Sequence, residues 1–140
     1  FDKVLEKTRE NPVFYVQYCY ARISSLFRTL KIDPKNKFDV DKKNFNLNEH
    51  ELNLFRKIID WPKVVETASN KYEPHRIPFY LYELATLFHS YWSKGNENEQ
   101  LRFIKDNKIK NNNSFAIIKL VALVIRNGMG ILGVSLPHKM

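Results

Sequence analysis

Apolar residues in this chain recur at helical intervals, and nowhere do they keep up the alternation of a strand. The clearest case is Val13, Val16, Tyr20, Ile23, Phe27 and Leu30, at steps of 3-4-3-4-3. Steps of three and four return to one side of a 3.6-residue turn. The stretch can therefore bury one stripe as a helix and cannot do so as a strand. Leu52, Phe55 and Ile59 repeat the pattern, and so do Ile77, Leu81, Leu84, Phe88 and Tyr91. Several such stripes in one chain must bury one another. The class this predicts is all-α, a bundle of four to five helices.

Local signals predict where the helices begin and end. Asn11-Pro12 is a capping side chain followed by proline at the first helical position, so a helix runs over 12–30. Residues 31–46 are polar and charged and read as a loop. A helix over 48–59 ends at Asp60-Trp61-Pro62, which opens another over 62–71. Glu73-Pro74 opens a long helix over 74–93. Residues 94–113, with Gly95 and many asparagines, read as a connection with a short helix around Leu101–Ile104. The last helix starts at Ser114, a plausible cap, and ends at Leu132, before a C-terminal glycine cap at Gly133. Residues 1–10 have the pattern of the end of an amphipathic helix. The start on Phe1 rather than Met reads as a start inside a longer protein.

Composition narrows the function. With 140 residues, 44% hydrophobic and 14% aromatic, the chain can fill one core and is not a disordered tail. The longest apolar run, Phe115–Ile125, is interrupted by Lys119 and is too short for a bilayer; it reads as a helix buried on most sides. Cys19 alone can form neither an internal disulfide nor a cysteine metal cluster. A reducing cytosol fits that usage. The net charge is +8, and residues 101–140 hold seven basic residues against one acid, Asp106. Such a basic segment suits a polyanionic partner, and equally suits simple solubility.

The tools of catalysis are not visible. His50-Glu51 begins a zinc-protease-like run, but no histidine follows at the fourth position. The four histidines are scattered, and no glycine-rich phosphate loop occurs. Cys19, inside a helix, reads as a packing residue. What is present is a second face on the first helix. Tyr15, Tyr18 and Arg22 cluster at helical spacing away from the apolar stripe. Tyrosine rings stack unpaired bases, and arginine pairs with phosphate or lies flat on a base. The same face could instead pack against another helix with its hydroxyls bonded. Phe88, Tyr91 and Trp92 add aromatics at the end of the long helix; Tyr91 and Trp92 diverge, so one of them should leave the core. Aromatics interleaved with positive charge fit loop RNA better than duplex DNA.

The stretch Asn11–Arg22, NPVFYVQYCYAR, resembles the motif that opens the anticodon-binding domain of arginyl-tRNA synthetases, where Tyr-Val-Gln-Tyr-Ala-His-Ala-Arg is usual. Trp61-Pro62 with Val64-Val65, then Glu73–Tyr91, then Asn127–Met140 (NGMGILGVSLPHKM) resemble the same domain in the same order, so the likeness covers residues 11–140. The resemblance implies a class I synthetase anticodon-binding fold, with residues 1–10 a remnant of the catalytic body or its linker. It implies tRNA contacts from Tyr15, Gln17, Tyr18, Arg22, Tyr91 and Met140. Gln17 lies on another side of its helix and would support the tail. The carboxylate of Met140 would need a cation such as Arg126 or Lys139. It further implies a non-catalytic piece of a cytoplasmic arginine–tRNA ligase. That enzyme uses ATP with Mg, and this piece needs no cofactor and no metal. Its partners would be the anticodon loop of an arginine-accepting tRNA and its own catalytic domain, with no membrane and no DNA. Cys19 and Tyr20 depart from the usual Ala and His, and Ser114-Phe115 replaces a usual Arg-Leu or Arg-Val, so the Asp-Ala-Leu-Arg signature is not visible. The alternative is a helical protein-interaction module.

Overall fold

The computed structural model describes residues 11–33, 35, 42–43 and 45–140. The expectation for residues 1–10 and half of that for the loop over 31–46 lie outside these residues. Among the described residues are five α-helices: α1 Pro12–Thr29, α2 Glu49–Ile59, α3 Trp61–Asn70, α4 Arg76–Glu97 and α5 Asn112–Leu132. A 3-10 turn, Glu99–Leu101, and a small hairpin, β1 Ile104–Lys105 with β2 Lys108–Ile109, connect α4 to α5.

Capping explains most boundaries. The Asn11 side chain accepts from the backbone N–H of Val13 (3.0 Å) and Phe14 (3.3 Å), and Pro12 follows as the first helical residue. Asn48 does the same for α2, accepting from Glu51 N–H at 2.9 Å. Gly133, at φ +69°, closes α5, with Val134 N–H bonded to the Met129 carbonyl.

Three boundaries differ from expectation. The cap of α5 is Asn111, whose side chain accepts from Asn113 N–H, while Ser114 is buried inside the helix. The long helix α4 starts at Arg76 and runs on through Gly95 to Glu97. Gly95 does not break it, because its role is clearance: a Cβ there would sit 3.4 Å from the Leu101 carbonyl oxygen and 3.5 Å from Arg102 Cα. In place of the expected short helix around Leu101–Ile104 stand the 3-10 turn and the hairpin. Asp106 and Asn107 sit at φ +54° and +57°, the double left-handed turn that two-residue hairpins favour.

Helix α4 is the axis of the bundle and contacts the other four helices. One core unites Ile23 and Phe27 of α1, Leu54 of α2, Trp61 of α3, Leu81, Leu84 and Phe88 of α4, and Phe115, Ile118 and Ile125 of α5. Helix α5 is long and apolar enough to cross a membrane, yet ten of its residues are buried in this core. At Gly128 it approaches so closely that a Cβ would lie 2.8 Å from both Leu81 methyls.

Candidate nucleic-acid interface

The packing of α1 on α4 leaves one edge of that seam open to solvent. Tyr15, Tyr18 and Arg22 line it from α1; Thr86, His89, Ser90, Trp92, Ser93 and Asn96 line it from α4, around a groove of about 480 Å³. A second groove of about 620 Å³ shares Tyr18, Arg22 and Trp92 and continues to Arg28, Ile104, Lys139 and Met140. Arg22 stands where the two meet. Its guanidinium carbon lies 4.7 Å from the Tyr18 ring centre and 4.9 Å from that of Trp92. Arg22 Nη2 donates to Tyr18 Oη at 2.8 Å, and Nη1 lies 3.3 Å from His89 Nδ1. A guanidinium can only donate, so Nδ1 accepts, and a neutral ring keeps its proton on Nε2. Held between two rings, Arg22 is a pre-ordered flat cation, suited to pair with phosphate or stack on a base.

The aromatics beside it form a continuous array. Tyr15 lies 4.6 Å from the His89 ring and 5.2 Å from Tyr82; Tyr18 is stacked on His89 at 5.5 Å and 22°. Both readings of this face are thus partly realised. Tyr15 and Tyr18 do pack on α4, and the Tyr18 hydroxyl is bonded, yet both stay half-buried and open to the groove.

The C-terminal tail forms the far wall. Gln17 Nε2 donates to the Ser135 carbonyl at 2.9 Å, the tail-supporting position expected of it. Arg28 Nη1 donates to the His138 carbonyl at 2.6 Å, and Tyr20 packs near the His138 ring at 5.8 Å. These anchors place Met140, half-exposed, in the groove. Among the described residues the terminal carboxylate pairs with neither Arg126 nor Lys139; the cation that reaches the tail is Arg28.

Tyr91 requires correction. It is 2% exposed, its hydroxyl accepts from Asn48 Nδ2 at 3.1 Å, and its ring lies parallel to His50 at 5.5 Å and edge-on to Phe103 at 4.6 Å. Burial pushes its hydroxyl well above the usual tyrosine range. It is a core residue tying α4 to α2, and no base can reach it. Of the diverging pair, Trp92 is the one that leaves the core. His89 and Arg28 are the groove residues that the spacing argument missed. The signal for His89 was present as a polar and aromatic face on α4, with Tyr82, Thr86, His89 and Ser93 at helical steps; that for Arg28 was its place six residues after Arg22 on α1.

A further groove of about 520 Å³ lies between α2, α3 and α4. Two of its cations are already engaged: Lys57 pairs with Glu83, and Arg76 with Glu73, whose carboxyl is held below the usual range by that bond. It offers less free positive charge than the Arg22 grooves.

A family model described as the DALR anticodon binding domain matches residues 16–140. The chain is 46% identical over 140 residues to an arginine–tRNA ligase of Pelagibacter ubique, covering all of this chain and 24% of that protein. It is 46% identical over 145 residues to one of Ruegeria pomeroyi, covering all of this chain and 25% of that protein. It therefore spans about a quarter of the length of the curated relatives it matches. A solved structure described as an arginyl-tRNA synthetase of Campylobacter jejuni superposes with a TM-score of 0.79 at 27% identity, over 99% of this chain and 29% of that one.

Proposed function

This chain belongs to the DALR anticodon binding domain family, and we propose that it grips the anticodon loop of an arginine-accepting tRNA as the C-terminal domain of an arginine–tRNA ligase. The observation that carries this reading is Arg22, fixed between Tyr18 and Trp92 at the junction of two solvent-open grooves. Unpaired loop bases offer faces to stack and phosphates to pair, and the groove supplies aromatic faces and cations for both. Tyr15, Tyr18 and Trp92 are the stacking surfaces. Arg22, Arg28 and Lys139 supply positive charge, and Met140 is a soft apolar wall. Gln17 acts indirectly by holding Ser135.

The joining of arginine to tRNA, with its ATP and Mg, belongs on this reading to the part of the ligase that the chain does not span. The exposed apolar residues Leu120, Leu123 and Ile131 on α5 give that catalytic body a face to cover. A cytoplasmic location follows from the same reading.

The test is a titration with the anticodon stem-loop of an arginine tRNA and with a control differing only at the central anticodon base. Tighter binding to the cognate loop supports base reading by this domain. Equal, salt-sensitive binding to both reduces its role to charge and positioning. Binding to neither rejects the proposal and favours a protein-interaction module.

A further inference from the structure

The hairpin between α4 and α5 is small, yet it is held firmly at its root. Phe103 is buried against Phe88, Tyr91 and Trp92. Arg102 Nε donates to the Gly95 carbonyl at 2.8 Å, and Lys110 N–H donates to the Phe103 carbonyl at 2.8 Å. Lys110 Nζ donates to the Gln100 carbonyl at 2.8 Å. The pleat then sorts the four strand residues. Ile104 and Ile109 are opposed and half-buried, and Ile104 forms part of the wall of the groove that holds Arg22 and Met140. Lys105 and Lys108 are opposed on the other face, and both are exposed.

Like charges directly opposite one another in a two-stranded ladder repel. Among the described residues neither ammonium has an acceptor, and Asp106 in the turn is one carboxylate against two ammoniums. The turn itself places two non-glycine residues at positive φ. The hairpin thus carries an unfavourable charge pair on a tight two-residue turn, and Lys105 stands one residue, about 3.8 Å of backbone, from the groove wall. A polyanion running out of the groove would relieve the repulsion.

We infer that the β1–β2 hairpin is a phosphate-gripping arm, with Lys105 and Lys108 binding the RNA backbone as it leaves the groove of Arg22 and Met140. This rests on the RNA-binding reading above. The arm reads charge, not sequence, because two flexible ammoniums make point contacts with phosphate.

The experiment is the same stem-loop titration at several salt concentrations, using this 140-residue chain and its K105Q/K108Q variant. Both side chains are exposed and repel each other, so the variant should melt no lower than the parent. Binding should fall about tenfold at low salt, equally for cognate and control loops, and the slope of log K against log salt should shrink by about 1.4–1.8. The K105R/K108R variant should retain parental binding. Unchanged affinity and slope in K105Q/K108Q would overturn the arm. An Arg22→Ala variant in the same series separates the two claims. If it alone loses binding, the groove reading stands and the arm falls. If the parent chain binds no RNA, both fall.

Discussion

Arg22 and Tyr91 show how burial divides two residues of similar apparent promise. Arg22 makes its contacts through a plane: two rings flank it, and two nitrogens reach Tyr18 and His89. Lysine keeps the charge but loses the plane, so Arg22→Lys should weaken stem-loop binding by about 1–2 kcal/mol with little effect on the melting temperature. Binding equal to the parent would mean that only charge matters there. Tyr91 should behave in the opposite way. Tyr91→Ala should cost about 3–5 kcal/mol of stability by opening a cavity among Phe88, His50 and Phe103. Tyr91→Phe, which strips its hydroxyl's bonds with Asn48, Glu51 and Ser114 and keeps the ring, should cost about 1–3 kcal/mol and leave RNA binding unchanged. Denaturant unfolding and the titration together check both; weaker RNA binding by a stable Tyr91→Phe would restore the tyrosine to the interface. Spacing placed Tyr91 on the buried stripe of α4, with Ile77, Leu81, Leu84 and Phe88. Only the likeness to a family drew it outward. The periodic pattern was the better guide to its position, and helix geometry, which set Gln17 on another side of α1, also pointed to its contact with the tail.

At the scale of elements, glycines and helix ends separate what the sequence makes legible from what it hides. The five helices could be placed from apolar spacing and caps, since both are local, though the stripe read on α2 took in Ile59, which is exposed, and passed over Leu54, its fully buried residue. The end of α4 and the hairpin could not, because Gly95 answers to Leu101 and Arg102 folding back over it, a contact set by the hairpin's own docking. The same distinction governs two glycines of α5. Gly130 faces open space, so Gly130→Ala should stabilise by about 0.5–1 kcal/mol through helix propensity alone. Gly128 meets Leu81, itself fully buried, at 2.8 Å and Trp61 at 3.1 Å, so Gly128→Ala should destabilise by about 1–2 kcal/mol once overpacking outweighs propensity. Equal effects at the two sites would refute the close approach of α5 to α4. Helix α3 ends in a Schellman cap, with Glu73 N–H on the Ala68 carbonyl and Tyr72 N–H on that of Ser69, but its left-handed position holds Tyr72 at φ +53° and 91% exposed. The ring gains no packing for that backbone, so Tyr72→Gly should raise stability by about 0.5–1 kcal/mol in the same unfolding assay. A loss of stability would show that the ring has an unrecognised contact.

The bundle as a whole is one core threaded by α4, and the interface exists only while α1 and the tail stay docked on it. Tyr15, Tyr18, Arg22 and Arg28 all ride on α1, so any opening of that helix dismantles the groove. Cys19 reports on that opening. It lies on the buried side of α1 with no exposed surface, and burial drives its thiol far above the usual range, with nearby Arg22 offsetting only part of the effect. The reactive form of cysteine is the thiolate, which this site suppresses both by excluding reagent and by raising the cost of ionisation. If α1, α4 and α5 open only together, labelling of Cys19 must wait for global unfolding. With a stability of about 5 kcal/mol or more, the native rate at pH 8 should then lie at least about a thousandfold below that of the unfolded chain. The free energy from labelling should also fall with denaturant along the slope measured by circular dichroism. Fast labelling with a shallow slope would mean that α1 peels away by itself. The groove proposed for RNA would then be assembled only part of the time, and bound stem-loop, by holding α1 to α4 through Arg22, should protect Cys19 in proportion to its occupancy.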